Sequence, residues 1–184
     1  MSTSRYIALL RAINVGGRTV RMEELRKLFD ALGFAGTETF IASGNVIFES
    51  PARNAAALEK RIEAALEISL GYEVATFVRS PAELAAIAVH EPFARDELDL
   101  PGVALYIGFL RDPPGDDARQ KLLALRSPID DFHVHGRELY WLARGKMSES
   151  KISNVVLERI LGTRTTMRNV TTVRKLAAKY PAWR

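Results

Sequence analysis

The chain contains no cysteine. Disulfides, thiolate-ligated zinc and thiol nucleophiles are therefore excluded outright. It also lacks any apolar stretch near the ~20 residues that span a bilayer. The apolar run after Arg5 ends at charged Arg11, too soon for a secretory leader followed by a small-residue cleavage site. A cytoplasmic location and no membrane partner are expected. The spacing of a nucleotide-binding phosphate loop is missing, because Gly16-Gly17-Arg18 has no following Lys-Ser/Thr. The aromatic strand signature of RNA-recognition modules is missing too, since the third strand of the first half offers only Phe48. No carboxylate pair stands where a general acid and base would. Asp96-Glu97-Asp99, Asp116-Asp117 and Asp130-Asp131 read as solvated charges of loops and helix starts. His133 and His135 share a strand face, but the sequence declares no third ligand, so neither a metal nor another cofactor is expected.

What is present is an ordinary globular composition, 47% hydrophobic and 26% charged, in 184 residues. That length supports one sizeable core or two small subdomains. The net charge of +4 and pI near 9.5 are compatible with anionic partners without requiring one.

Periodicity orders the chain. Tyr6 to Leu10 has the length of a buried strand. Met22, Leu25, Leu28, Phe29 and Leu32 then recur at helical spacing up to Gly33. Thr37 to Ile41 and Val46 to Phe48 form a hairpin around Ser43-Gly44-Asn45. Leu58, Ile62, Ala65 and Leu66 mark a second helix, and Val74 to Val78 a fourth strand. The order is β-α-β-β-α-β, the ferredoxin-like arrangement. Ser80-Pro81-Ala82-Glu83 is a capping box opening a short helix, and residues 90–102 read as a linker.

The order then repeats at an offset of roughly 95 residues, too long for a solenoid and suited to duplication. Val103 to Leu110 is a strand, and a helix carries Ala118, Leu122 and Leu125. Phe132–His135 and Leu139–Leu142 make a hairpin in which Tyr140 and Trp141 take opposite faces, one of them core. Ile152 to Ile160 is helical, Thr165 to Met167 a short strand, and a last helix capped by Asn169 carries Val173, Leu176 and Ala177. The expected fold is α+β, two ferredoxin-like subdomains at 1–79 and 103–184, joined by 80–102.

The chemistry gathers in loops rich in Gly, Asn, Ser, Thr, Arg and Lys. In a ferredoxin-like unit the loop after strand 1 and the turn after strand 2 leave the sheet at one end. Arg11, Asn14, Gly16, Gly17 and Arg18 are thereby brought near Ser43, Gly44 and Asn45. In the second unit the ends of strands 3 and 4 gather Lys146, Ser148, Ser150 and Lys151 with Arg168, Asn169 and Thr172. Helix N-termini with cations beside them suit phosphate. Each feature also has a structural rival: the glycines as tight turns, Ser43-Gly44-Asn45 as a hairpin turn, Ser148, Ser150 and Asn169 as helix caps.

Arg11-Ala12-Ile13-Asn14-Val15-Gly16-Gly17, Ile41-Ala42-Ser43-Gly44-Asn45-Val46-Ile47-Phe48 and the run from Thr166 to Leu176 together resemble a bacterial family, domain of unknown function 1697. The resemblance covers essentially the whole chain. It implies two similar ferredoxin-like subdomains and no activity. The function expected is binding of a phosphate-bearing ligand, a nucleotide or nucleic acid. The alternatives are an enzyme acting on a small anionic substrate, with Lys146, Lys151 or Arg168 stabilising developing charge, and a protein-interaction module with no small-molecule site. The sequence carries no signal of oligomeric state.

Overall fold

The computed structural model describes residues 3–14, 17, 19–41, 44–145 and 150–182. The chain divides into two units, Met1–Leu84 with Tyr180–Arg184, and Ala85–Lys179.

The first unit contains β1 (Ser4–Leu10), α1 (Met22–Ala31), β2 (Ala35–Thr39), β3 (Asn45–Ser50), α2 (Ala55–Leu70) and β4 (Thr76–Arg79). The strand order is β2-β3-β1-β4, with every neighbouring pair antiparallel. β1 and β2 both oppose β3, so they run the same way and need the α1 crossover. Alternation puts Tyr6, Ala8, Leu10, Val46, Phe48 and Val78 on one face, where they meet Leu25 and Phe29 of α1 and Leu58, Ile62 and Leu66 of α2. Phe29, Phe34 and Phe48 pack there in tilted and edge-on pairs at 6.0, 5.6 and 4.4 Å between ring centroids. α2 starts at Asn54, whose side chain accepts from the Ala57 N–H, and stops at left-handed Gly71. Glu63 and Glu59, one turn apart on α2, accept from the N–H groups of Thr76 and Val78 at 2.9 and 2.8 Å. These bonds occupy donors that an edge strand such as β4 would otherwise leave exposed.

α3 (Pro81–Val89) opens with the expected capping box: Ser80 Oγ accepts from Glu83 N at 3.2 Å and Glu83 Oε2 accepts from Ser80 N at 2.7 Å. Residues 90–102 are not all linker, for they hold a single helical turn, α4 (Arg95–Leu98). There follow β5 (Val103–Phe109), α5 (Asp116–Leu123), β6 (Asp130–His135), β7 (Glu138–Arg144), α6 (Asn154–Leu161), β8 (Thr166–Asn169) and α7 (Val170–Lys179). The sheet order, β6-β7-β5-β8, repeats that of the first unit. Phe132, Leu139, Trp141 and Ala143 pack with Leu122 of α5 and with Leu157 and Leu161 of α6. Tyr140 and Trp141 do take opposite faces, yet both are buried.

Two readings need correction. β2 ends at Thr39: Phe40 N–H still donates to the Asn45 carbonyl, but Ile41 turns left-handed (φ 49°), so the chain leaves the strand two residues early. Asp130 is buried rather than solvated: it accepts from Trp141 Nε1 at 2.8 Å and from Ser150 Oγ at 3.0 Å. Among the described residues no helix is long and apolar enough to cross a membrane.

Candidate functional site

At the loop end of the first sheet, β1 passes directly into the Arg11 motif. Leu10 N–H donates to the Gly44 carbonyl at 2.8 Å and Arg11 N–H to the Ala75 carbonyl at 2.9 Å. The expected juxtaposition of the two motifs is therefore present. Gly44 cannot carry a side chain: its φ is +73°, and a Cβ would lie 2.8 Å from Ile13 Cγ2. Asn14 Oδ1 accepts from Val20 N–H at 2.7 Å, and the Tyr72 hydroxyl donates to the Ile13 carbonyl at 3.4 Å. Buried Asn45 donates its amide to the Phe40 carbonyl at 3.0 Å. Both asparagines thus hold backbone groups of their loops in shape, which for Asn45 is the hairpin-turn reading. Arg11 is half-buried and Gly17 exposed with φ +81°; Gly16, Arg18 and Ser43 lie outside the described residues.

Two non-glycine residues, Ala12 (φ 53°) and Ile41 (φ 49°), have positive φ among the described residues, one in each motif. The terminus of α1 is less electropositive than expected. Glu23 and Glu24 occupy its first turn and already complement the helix dipole. Together with Arg21 and Lys27 they line a shallow depression of about 240 Å³ of mixed charge.

Among the described residues, Ser150 of the second expected cluster is not brought together with Arg168 and Asn169. Ser150 binds Asp130, at the start of the edge strand β6, whereas Arg168 and Asn169 lie on β8, the other edge. Three strand spacings separate those edges, about 14 Å. Arg168 pairs with Ile107 and Asn169 with Tyr106, so they also point to opposite faces. Arg168 is 8% exposed and donates through Nη1 to Thr166 Oγ1 and the Met167 carbonyl, both at 2.9 Å. Burial pushes its pKa down to about 10, so it remains a cation at neutral pH, but one turned inward to its own strand. Asn169 Oδ1 accepts from Thr171 N–H at 2.8 Å, and Thr172 is half-buried in α7. Lys151 is exposed; Lys146 and Ser148 lie outside the described residues.

What the sequence reading missed is a third histidine. β6 places His133 and His135 on one face, directly across from Tyr140 and Glu138 of β7. The Tyr140 hydroxyl donates to the Ile87 carbonyl at 3.3 Å and Arg174 Nε to the Ala88 carbonyl at 3.4 Å, so both satisfy acceptors in the last turn of α3. His90, one residue past that turn, consequently sits over the hairpin. Its ring stacks on His135 at 4.3 Å and lies 5.5 Å from His133 and 4.9 Å from Tyr140. One ligand nitrogen from each histidine lies within 4.8 Å of the others. Burial lowers the pKa of His90, and His135 lowers it further. Burial also lowers that of His133, followed by repulsion from His90, His135, Arg126 and Arg119. The one available signal was arithmetic: the chain has three histidines, and all three meet here.

The molecule is an α+β protein of two ferredoxin-like units. A family model described as protein of unknown function DUF1697 matches residues 3–140, and the chain belongs to that family. Among solved structures it is similar to the conserved bacterial protein SP0830 from Streptococcus pneumoniae. The two share 23% identity over 96% of this chain and 98% of that one, with a TM-score of 0.70. That likeness concerns the fold. No curated protein matches.

Proposed function

We propose that the protein binds a phosphate-bearing ligand, a nucleotide or nucleic acid, at the loop end of the first unit's sheet. The observation that carries this reading is the paired backbone strain at Ala12 and Ile41. Left-handed non-glycine residues cost about 1–3 kcal/mol each and persist where surrounding structure over-determines them, commonly at ligand loops. For a β-branched residue such conformations are genuine outliers. Ile41 is 52% exposed, so core packing does not repay its strain. Arg11 supplies the positive charge, and Gly17 of the same motif is exposed. Arg18, Gly16 and Ser43 join the proposal as members of the same motifs. The hydrogen bonds of Asn14 and Asn45 give them a supporting role, holding the loops in shape. Arg168, Asn169 and Thr172 are left out, because Arg168 is buried on its own strand.

The test is an amide NMR titration with pyrophosphate, ATP and a short single-stranded oligonucleotide. Shifts should map to residues 11–17 and 40–45, and Arg11→Ala should weaken binding about tenfold or more, the scale of one charge-assisted contact. Nucleic acid would be singled out by steep loss of affinity with salt. Absence of shifts in both segments with all three probes would reject the reading.

A further inference from the structure

From the meeting of His90, His133 and His135 we infer a binding site for a divalent transition-metal ion of the zinc type in the second unit. Three observations converge. The first is placement. His133 and His135 stand two apart on one strand, so their imidazoles rise from the same face about 7 Å apart at the backbone. His90 comes from a distant segment, and its ligand nitrogen and theirs all lie within 4.8 Å. Nitrogens that share a zinc ion sit closer than this, a little over 3 Å apart for bonds of about 2.0–2.1 Å in tetrahedral geometry. Rotation of the exposed His135 ring and the half-buried His133 ring toward His90 would close the difference.

The second observation is an orphan. His90 Nε2 is buried and has no hydrogen-bond partner among the described residues. A buried ring nitrogen without a partner is costly, and a metal ion is one partner that satisfies it. The segment carrying it is nonetheless tied down. Glu91 pairs with Arg174 at 3.7 Å, while Arg174 and Tyr140 hold the end of α3. His90 is therefore kept in place by its neighbours and not by any bond of Nε2.

The third observation is chemistry. Three imidazoles in contact repel one another when protonated and bind metal only when neutral. Imidazole without thiolate favours zinc, copper, nickel or iron over magnesium and calcium. Arg119 and Arg126 act on His133 against a cation, and Glu138, the cross-strand partner of His135, places a carboxylate on the same face. His135 is exposed, so the site opens to solvent on its side. A three-histidine set leaves a fourth position for water or for an anionic group of a ligand.

The experiment uses the full-length chain without a histidine tag, stripped with chelator and titrated with Zn²⁺ by calorimetry and with Co²⁺ by visible absorption. One equivalent should bind, with cobalt bands of a nitrogen-rich site of low coordination number. His135→Gln, at an exposed position, should leave the circular dichroism unchanged and weaken metal binding at least about tenfold, since loss of even outer-shell partners costs 10–100-fold. His133→Gln should do the same, which guards against failure of one variant to fold. Saturable binding by the wild type that both variants retain would overturn the site. So would the absence of saturable binding of Zn²⁺, Co²⁺, Ni²⁺ and Cu²⁺ to the stripped wild type. Neither result bears on the phosphate proposal, which concerns the other unit.

Discussion

The two units spell out the same sheet with different side chains in one row. In the first, Glu38 of β2, Ile47 of β3, Ile7 of β1 and Arg79 of β4 lie in register across all four strands. In the second, the matching row is His133 of β6, Tyr140 of β7, Ile107 of β5 and Arg168 of β8. The β1/β5 and β4/β8 positions are held fixed, an isoleucine beside a buried arginine that donates to a carbonyl of its own strand, Val78 or Met167, whereas β3 and β7 differ, Ile47 against Tyr140. The outer-strand position is free to change. Glu38 receives a hydrogen bond from the Tyr180 hydroxyl at 2.7 Å, and His133 faces His90. In both units that position meets a segment from outside the β-α-β-β-α-β core. A duplicated fold thus supplies one slot twice, and each copy has filled it with different chemistry.

The opposite, helix-covered face offers the strongest way to break the comparison. Phe48 and Trp141 are equivalent by register, facing Tyr6 and Tyr106. Phe48→Ala should cost about 3–5 kcal/mol through lost burial and a residual cavity. Trp141→Ala should cost about 1–2 kcal/mol more, because buried Asp130 loses the indole donor it accepts from. Urea unfolding of both variants checks this, and equal losses would mean that the Asp130 contact contributes nothing.

The buried arginines come next. Arg168→Ala should destabilise the protein by roughly 2–4 kcal/mol, since the side chain is large, buried and hydrogen-bonded. Phosphate-ligand affinity should stay unchanged. This reverses the expectation that Arg168 is a ligand-binding residue. Arg79→Ala should behave alike if the two rows share one architecture. Measured together, unfolding midpoints and ligand affinity separate the two roles: an Arg168→Ala protein of wild-type stability with weakened binding would restore the ligand role.

These corrections show where sequence reading succeeds. Element order was legible because periodicity, capping boxes and glycine stops are local, as at Ser80-Pro81-Ala82-Glu83, Gly33 and Gly71. Rows across a sheet were not. Whether Arg168 is an exposed cation or a core residue depends on which residues of β5 it opposes, and register is set by partners far away in the chain. His90 is legible as a partner of His133 only after Tyr140 has fixed the end of α3. Asn14 and Asn45 were rightly picked out as special. Their amides hold backbone groups, and loop composition alone does not separate that use from ligand contact.

The smallest expected effect concerns pH, and it separates the units because every histidine lies in the second. His90 and His133 have folded-state pKa values below the ordinary 6.5, burial being the first cause of both. Between those lowered values and 6.5 the unfolded chain binds more protons than the folded one, so stability rises with pH through that window. The stabilisation from keeping these rings neutral is complete above about 6.5 and is lost as pH falls through the folded values. Groups acting on His133 are His90, His135, Arg126 and Arg119, all cationic when charged, and each reinforces the same sign. Urea unfolding in chelator-containing buffer from pH 7.5 to 5 should show declining stability in the wild type. His90→Phe keeps an aromatic ring against Tyr140 while removing one titrating group and its repulsion of His133, so it should flatten the decline. An unflattened profile would mean that the slope belongs to carboxylates shared by both units, and the histidine slot would lose its claim to titrate apart from the rest of the fold.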